Sequence, residues 1–103
     1  TTGITSRIET GHGRLYVTIS SDKDGPIEVF GHLGKSGTDD RATVEGITRL
    51  ISLALRSGVE IKEIVKQLEG VKCNHAEWDD GECVESVVDG LAKAIRRSSD
   101  DSS

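Results

Sequence analysis

The sequence is poor in aromatic residues, cysteine and proline for its length. Its 103 residues include one Trp, one Tyr, one Phe, one Pro, two Cys and no Met. Two cysteines are too few for the disulfide framework of a small secreted domain. No apolar run approaches the roughly 20 residues that a membrane-spanning helix needs. We therefore expect a cytoplasmic protein without a membrane partner.

Positive charge is also in short supply. The chain has 13 Lys and Arg against 18 Asp and Glu, which gives a formal net charge of −5. Binding to nucleic acid needs clustered Lys and Arg, often with interleaved aromatic residues. The basic segment 93–97 is interpreted instead as a helix C-terminus that complements the helix dipole. We therefore predict no nucleic-acid partner. At this length the chain is expected to form a single domain.

Three segments in the first third of the chain have the properties of β-strands. They cover residues 4–10, 14–20 and 27–33, and the second alternates apolar and polar residues most regularly. The first two are separated only by the short turn Gly11-His12-Gly13, whose glycines tolerate a positive φ. The pattern predicts a three-stranded antiparallel meander.

Two segments with helical periodicity follow. Apolar residues recur at steps of three and four over residues 40–57, with aspartates at the start and Gly58 after the end. A second stripe covers residues 61–68, and Gly70 can terminate that helix in the left-handed conformation. Because the connection is so short, we expect the two helices to pack closely together.

The last third begins with a polar segment, residues 73–83, which is long for a simple connection. A final helix then has an apolar face made of Val84, Val87, Val88, Leu91 and Ile95. Residues 98–103 form an acidic tail that we predict to be disordered. Strands first and helices afterwards indicate one α+β domain, residues 1–97, with three helices packed on one face of the sheet.

Several segments together carry a family resemblance. They are Thr10-Gly11-His12-Gly13-Arg14-Leu15-Tyr16-Val17-Thr18, Glu28-Val29-Phe30, Leu33-Gly34-Lys35-Ser36-Gly37, Arg49-Leu50-Ile51-Ser52-Leu53-Ala54-Leu55-Arg56-Ser57-Gly58 and Lys66-Gln67-Leu68-Glu69-Gly70. Over about residues 3 to 97, the chain resembles the TSCPD-domain family. That family is best known near the C-terminus of class II, cobalamin-dependent ribonucleotide reductases, and it also includes small independent proteins.

The resemblance implies a non-catalytic accessory or binding domain related to deoxynucleotide synthesis. The radical-forming barrel, the catalytic cysteines and the cobalamin site of the adenosylcobalamin-dependent ribonucleoside-diphosphate reductase are absent from these 103 residues. The chain opens on Thr1 rather than Met, which favours a processed or excised segment. The alternative is an independent, dimeric small regulatory protein that binds a metal or a nucleotide.

The cysteine positions depart from the family pattern. His12 stands where the family usually has Cys in the first turn, and Thr38-Asp39 stands where a second Cys often follows. The naming motif Thr-Ser-Cys-Pro-Asp reads here as Glu85-Ser86-Val87-Val88-Asp89. Only Cys73 matches a family cysteine position, so thiol chemistry that depends on the motif Cys is not expected.

Four residues are candidate zinc ligands: Cys73, His75, Cys83 and His12. Thiolate and imidazole are the usual ligands of tetrahedral zinc, and an exchange of Cys for His keeps a ligand. The spacing from Cys73 to Cys83 is not that of a Cys-x-x-Cys knuckle. Free thiols in a polar loop are the alternative.

The segment Gly34-Lys35-Ser36-Gly37 is a candidate anion or nucleotide site, because it follows a strand and precedes a helix. It is not a Walker motif, since Val29 stands where the first Gly belongs. The aspartates at the helix start would also repel a phosphate. A plain connection between strand and helix is the alternative.

The three histidines come without a nucleophile elbow, a triad or paired acids, so we expect no catalysis by the domain alone. A thin sheet with apolar helices is expected to keep a face that a second copy or a reductase catalytic domain covers. We therefore predict a homodimer, or a complex with that catalytic domain.

Overall fold

The computed structural model describes residues 2–34 and 38–101. Its first part is a sheet of three antiparallel strands in the order β1-β2-β3, with β1 at Thr2–Thr10, β2 at Gly13–Asp22 and β3 at Gly25–Gly34. The predicted meander is confirmed.

Three helices follow the sheet, as predicted. They are α1 at Thr38–Arg56, α2 at Ile61–Leu68 and α3 at Val87–Asp101. A two-stranded hairpin, β4 at Glu77–Asp79 and β5 at Glu82–Val84, lies between α2 and α3. The chain is therefore an α+β domain. Among the described residues, no helix is long and apolar enough to cross a membrane.

One face of the sheet is buried beneath the helices. In β2, Leu15, Val17 and Ile19 are buried, whereas the side chains between them are more accessible. This is the alternation expected of a strand with one covered face. α1 packs over β3, and α3 packs over β1 and β2. The core therefore lies between the sheet and the helices.

Gly31 in β3 lies where the two long helices meet above the sheet. A Cβ atom there would lie 2.7 Å from Val44 of α1 and 3.5 Å from Leu91 of α3. Contacts under 3.0 Å are not tolerated in a packed interior without a shift of the neighbours. The absence of a side chain at this position lets both helices lie close to the sheet.

The free edge of β3 is partly closed by α1. The Ser52 hydroxyl accepts a hydrogen bond from the Val29 N–H at 3.0 Å and donates one to the Val29 carbonyl at 3.1 Å. The Arg41 guanidinium donates to the Leu33 carbonyl at 3.3 Å. Satisfied edge groups are poor templates for another strand.

The arrangement of α2 differs from the prediction. Its main helix partner is α3, not α1. Gly58, in a left-handed conformation with φ of 93°, separates α1 from α2. Ile64 is then buried as part of the common core. Short connections limit distance but leave the direction of the next helix open.

The polar segment 73–83 is also more ordered than predicted, because it contains β4 and most of β5. Its hairpin is attached to the edge of β1, where the Glu9 N–H donates to Asp79 at 2.9 Å. Arg97 of α3 donates to the same carboxylate at 2.7 Å. Asp79 and Glu82 of this segment are therefore partners of Arg97 rather than free surface charge.

The bounds of α3 are shifted towards the C-terminus relative to the prediction. Ser86 acts as N-cap, since its hydroxyl accepts the Asp89 N–H at 3.0 Å, and Val84 belongs to β5. The helix continues to Asp101, through part of the segment predicted as a disordered tail. Ser98 is buried, and its hydroxyl lies 2.9 Å from that of Ser6. Residues 102 and 103 lie outside the described part of the chain.

Candidate metal centre

His12 is held at one end of the sheet by the turn between β1 and β2. The Thr10 hydroxyl donates to the Gly13 carbonyl at 2.7 Å and accepts the His12 N–H at 3.1 Å. These two bonds fix the backbone on both sides of the imidazole. The side chain is partly exposed, so the ring is accessible from solvent.

Cys73 and His75 are brought to this turn by the segment that follows α2. The Cys73 N–H donates to the Glu85 carbonyl at 3.1 Å, and the His75 N–H donates to the Cys73 sulfur at 3.3 Å. The second bond holds the sulfur of Cys73 beside the backbone of His75.

Gly11 permits the close approach of the two segments. A Cβ atom at this position would overlap the carbonyl group of His75. Any larger residue would therefore push the segment with Cys73 and His75 away from the turn with His12. The glycine in the first turn thus serves the site as well as the hairpin.

The ligand atoms of His12, Cys73 and His75 all lie within 4.8 Å of one another. Nε2 of His12 is 3.5 Å from the Cys73 sulfur, and the two imidazole rings meet edge to face with centroids 5.0 Å apart. Bonds of about 2.3 Å to sulfur and about 2.0 Å to nitrogen at a tetrahedral angle separate the two ligand atoms by about 3.5 Å. The observed spacing fits one metal ion.

Asp40, near the start of α1, lies behind His12. One of its carboxylate oxygens is 3.5 Å from Nδ1 of His12. Histidines that bind metals commonly donate the other ring N–H to a carboxylate, which fixes the tautomer and the ring orientation. This contact directs Nε2, the nitrogen next to Cys73, towards the centre of the cluster.

Cys83 is not part of this cluster in the described structure, so the predicted set of four ligands is not brought together. Cys83 lies in β5 opposite Trp78, and its thiol donates to the Glu85 carboxylate at 3.2 Å. That hydrogen bond, with a smaller effect of burial, raises the pKa of the Cys83 thiol. A raised pKa disfavours the thiolate form that binds metals.

The family model of the TSCPD domain matches residues 1–99, nearly the whole chain. The chain belongs to the TSCPD-domain family. This confirms the resemblance identified from the sequence, and the family is associated with ribonucleotide reductase. No curated protein and no solved structure matches the chain significantly.

Two residues of the TSCPD motif that this member retains, Ser86 and Asp89, have structural roles that sequence reasoning missed. Asp89 is completely buried and accepts the N–H groups of Gly70 at 2.7 Å and Glu85 at 2.8 Å. It also accepts two bonds of 2.7 Å from the Lys93 ammonium. Burial alone would raise the pKa of Asp89, but these donors outweigh it and hold the pKa below its usual value.

These contacts of the TSCPD motif support the candidate metal cluster indirectly. Ser86 donates to the Val71 carbonyl, and Asp89 binds the Gly70 N–H, so both attach the start of the segment with Cys73 to α3. The spacing of Ser86 and Asp89 at the start of a helix resembles a capping box, and it is the signal that could have revealed the N-terminus of α3.

The predicted anion site of this TSCPD domain falls mostly outside the described residues. Gly34 is the last residue of β3, and Lys35, Ser36 and Gly37 are not described. The site therefore stays a prediction. Asp40, in the first turn of α1, is an acidic group close to this connection.

Proposed function

We propose that this TSCPD domain is a zinc-binding accessory domain of deoxynucleotide synthesis, which acts by binding and not by chemistry of its own. The observation that supports the metal is the convergence of His12, Cys73 and His75, whose ligand atoms lie within 4.8 Å of one another. The support for the metabolic setting is membership in a family associated with ribonucleotide reductase.

The donor set favours zinc over magnesium or calcium. One thiolate and two imidazoles are soft or borderline ligands, whereas the two alkaline-earth ions prefer oxygen. His12 occupies the family's first cysteine position, so the exchange keeps a zinc ligand. Three protein ligands leave one tetrahedral position for water or for another group.

Zinc at this position would have a structural effect on the domain. It would join the first turn of the sheet to the segment after α2. His12 and Cys73 in these two parts are separated by 61 positions in the chain. A metal that binds the folded state alone stabilises that state by mass action. The zinc-bound domain would then present a fixed surface to the reductase.

The metal is tested by native mass spectrometry of protein purified without chelator and supplied with one equivalent of zinc. We expect one zinc per chain in the wild type and in Cys83→Ser, and metal-free protein for Cys73→Ser. Cys83→Ser is the matched control, because it removes a thiol that lies outside the cluster. Zinc retained by Cys73→Ser, or a wild type that stays metal-free, would refute the site.

The accessory role is tested separately by calorimetric titration of the zinc-loaded domain into a cobalamin-dependent reductase catalytic domain that lacks its own TSCPD region. We expect saturable binding, and weaker binding after zinc is removed. The absence of any heat of binding would contradict the accessory role while leaving the metal site intact.

A further inference from the structure

We propose that α1 is a dimerisation helix, which packs antiparallel against α1 of a second copy of this chain through Gly46, Leu50 and Leu53. This inference concerns a surface that none of the candidate metal ligands belongs to. It therefore stands or falls independently of the proposed zinc site.

The first observation is an exposed apolar stripe on α1. Leu50 is 67% exposed and Leu53 is 54% exposed. Gly46 lies four residues before Leu50 and seven before Leu53, so all three are on one face of the helix. The opposite face of α1 is buried against β3 through Val44 and Ile51. The helix is therefore apolar on two sides, and only one of them is covered within the chain.

The second observation is the environment of Gly46. A Cβ atom built on this residue meets no described atom within 4 Å. Glycine in a helix interior is unfavourable compared with alanine. At Gly31 the packing of the chain explains the glycine, but at Gly46 it does not. An open position beside two projecting leucines leaves room for a side chain from a facing helix.

The third observation is the order of charges along one flank of the stripe. Glu45 lies near its N-terminal end, Arg56 near its C-terminal end, and Arg49 between them. A twofold axis that makes the helices antiparallel reverses this order, so Glu45 faces the partner's Arg56, and the contact occurs twice. In a parallel pair the twofold axis runs along the helices and sets this flank against the partner's opposite flank, so the contact between Glu45 and Arg56 does not form. The charge order thus offers two contacts between opposite charges in the antiparallel direction, while Arg49, close to the twofold axis, is paired with Glu45 of its own chain at 3.4 Å.

The alignment of the two helices that the charges favour agrees with the alignment that the apolar residues favour. The midpoint between Glu45 and Arg56 falls at residue 50 or 51, which places Leu50 next to the twofold axis. Leu53 then lies over the partner's Gly46, with an offset of about 3 Å from the charge register at 1.5 Å per residue. Side chains span that offset easily, so apolar and charged contacts form in one arrangement.

Pairing with a strand of another molecule explains this surface less well than pairing with a helix does. The groove beside the stripe is bounded by β3, with Phe30 and Glu28 on its far side. The edge groups of Val29 are already bonded to Ser52. A partner strand would have to displace these bonds, whereas a partner helix would leave them in place.

The test is sedimentation velocity of the full chain from about 5 to about 200 µM. We expect a wild-type mass of twice 11.0 kDa at the upper end of this range. Leu53→Glu should weaken the dimer at least tenfold, with an unchanged circular dichroism spectrum. Ile4→Glu is the matched control, because Ile4 is 47% exposed on β1, and it should leave the dimer intact.

Charge reversal tests the direction of the helices. Glu45→Arg alone and Arg56→Glu alone should each weaken the homodimer, since each places like charges opposite one another. An equimolar mixture of the two variants should restore a heterodimer, because both contacts then pair opposite charges. A wild type that is monomeric throughout, a dimer that Leu53→Glu leaves unchanged, or a mixture no tighter than either variant would overturn the proposal.

Discussion

Two polar clusters that involve the segment 70–89 differ in how completely their polar groups are hydrogen-bonded. Asp89 is buried and receives two backbone N–H groups and the Lys93 ammonium at 2.7 to 2.8 Å. The cluster of His12, Cys73 and His75 is more exposed, and its contacts of 3.3 to 3.8 Å are longer. The first cluster is complete without a ligand, whereas the second has atoms that converge on a common point.

This difference separates a buried structural cluster from a candidate binding site. A buried carboxylate with all its bonds made holds the fold in one arrangement, and its loss leaves unpaired groups in the core. Ligand atoms that converge but pair only loosely can accept an ion without breaking strong bonds. We expect variants of the two clusters to affect different measurements.

The largest effect is expected for Asp89→Ala. The substitution leaves the Lys93 charge buried without its partner and two backbone N–H groups without an acceptor. Removing one member of a buried pair costs about 3–5 kcal/mol of the free energy of unfolding. Urea unfolding monitored by circular dichroism measures it, with the exposed Glu63→Gln as control. A loss below about 1 kcal/mol would show that Asp89 does not hold this part of the fold.

The next effect concerns zinc. At a free zinc concentration 100 times the dissociation constant, the metal should raise the free energy of unfolding by about 2.7 kcal/mol. Cys73→Ser should abolish this gain and should change the stability of the metal-free protein little, because Cys73 is exposed. Paired urea titrations with zinc and with chelator measure both quantities. An equal response to zinc in the variant would contradict the difference between the clusters.

A smaller effect is expected for Asp40→Asn, which keeps the shape of the side chain but removes the carboxylate next to Nδ1 of His12. Changes in such partners of metal ligands lower metal affinity about 10- to 100-fold. Competition with a chromogenic zinc chelator measures the dissociation constant. An unchanged dissociation constant would mean that Asp40 does not orient His12.

The smallest effect is expected for Glu82→Gln in the partly exposed network with Arg96 and Arg97. The hydrogen bond from Arg96 has the largest effect on the pKa of Glu82. Together with the hydrogen bond from Arg97 it outweighs the opposing effect of burial, so the pKa of Glu82 is lowered. A lowered pKa in the folded state gives stability above the unfolded pKa, which is lost as pH falls through the folded pKa.

The free energy of unfolding of the wild type should therefore exceed that of Glu82→Gln by about 1 kcal/mol at pH 7. The difference should shrink as the pH falls from about 5 to about 2, because the wild-type carboxylate becomes protonated. Urea unfolding at several pH values measures it. A difference that stays constant with pH would exclude the charge of Glu82 as its cause.

The sequence predicted the parts of the fold that depend on periodicity. Alternation located the three strands, and steps of three and four located the helices, because each pattern reflects one covered face. It did not predict the direction of α2 or the hairpin of β4 and β5. Those features depend on contacts such as Asp79 with Glu9 and with Arg97, between residues far apart in the chain.

The sequence also predicted only part of the candidate site, because some of its members are set by contacts between residues far apart in the chain. The types and family positions of His12 and Cys73 indicated a shared site, and His75 was close to Cys73 in the sequence. Cys83 seemed equivalent to Cys73 by residue type, but the hairpin turns it towards Glu85. The role of Asp40 depends on where α1 begins relative to the first turn, which periodicity does not fix to within one residue.

The most direct test of the central claim is X-ray absorption at the zinc edge of the zinc-loaded protein. The proposed site predicts a first shell with one sulfur at about 2.3 Å and two imidazole nitrogens at about 2.0 Å, besides the fourth ligand. The sulfur should disappear in Cys73→Ser and remain in Cys83→Ser. A shell with two sulfurs, or one without sulfur, would contradict the site formed by His12, Cys73 and His75.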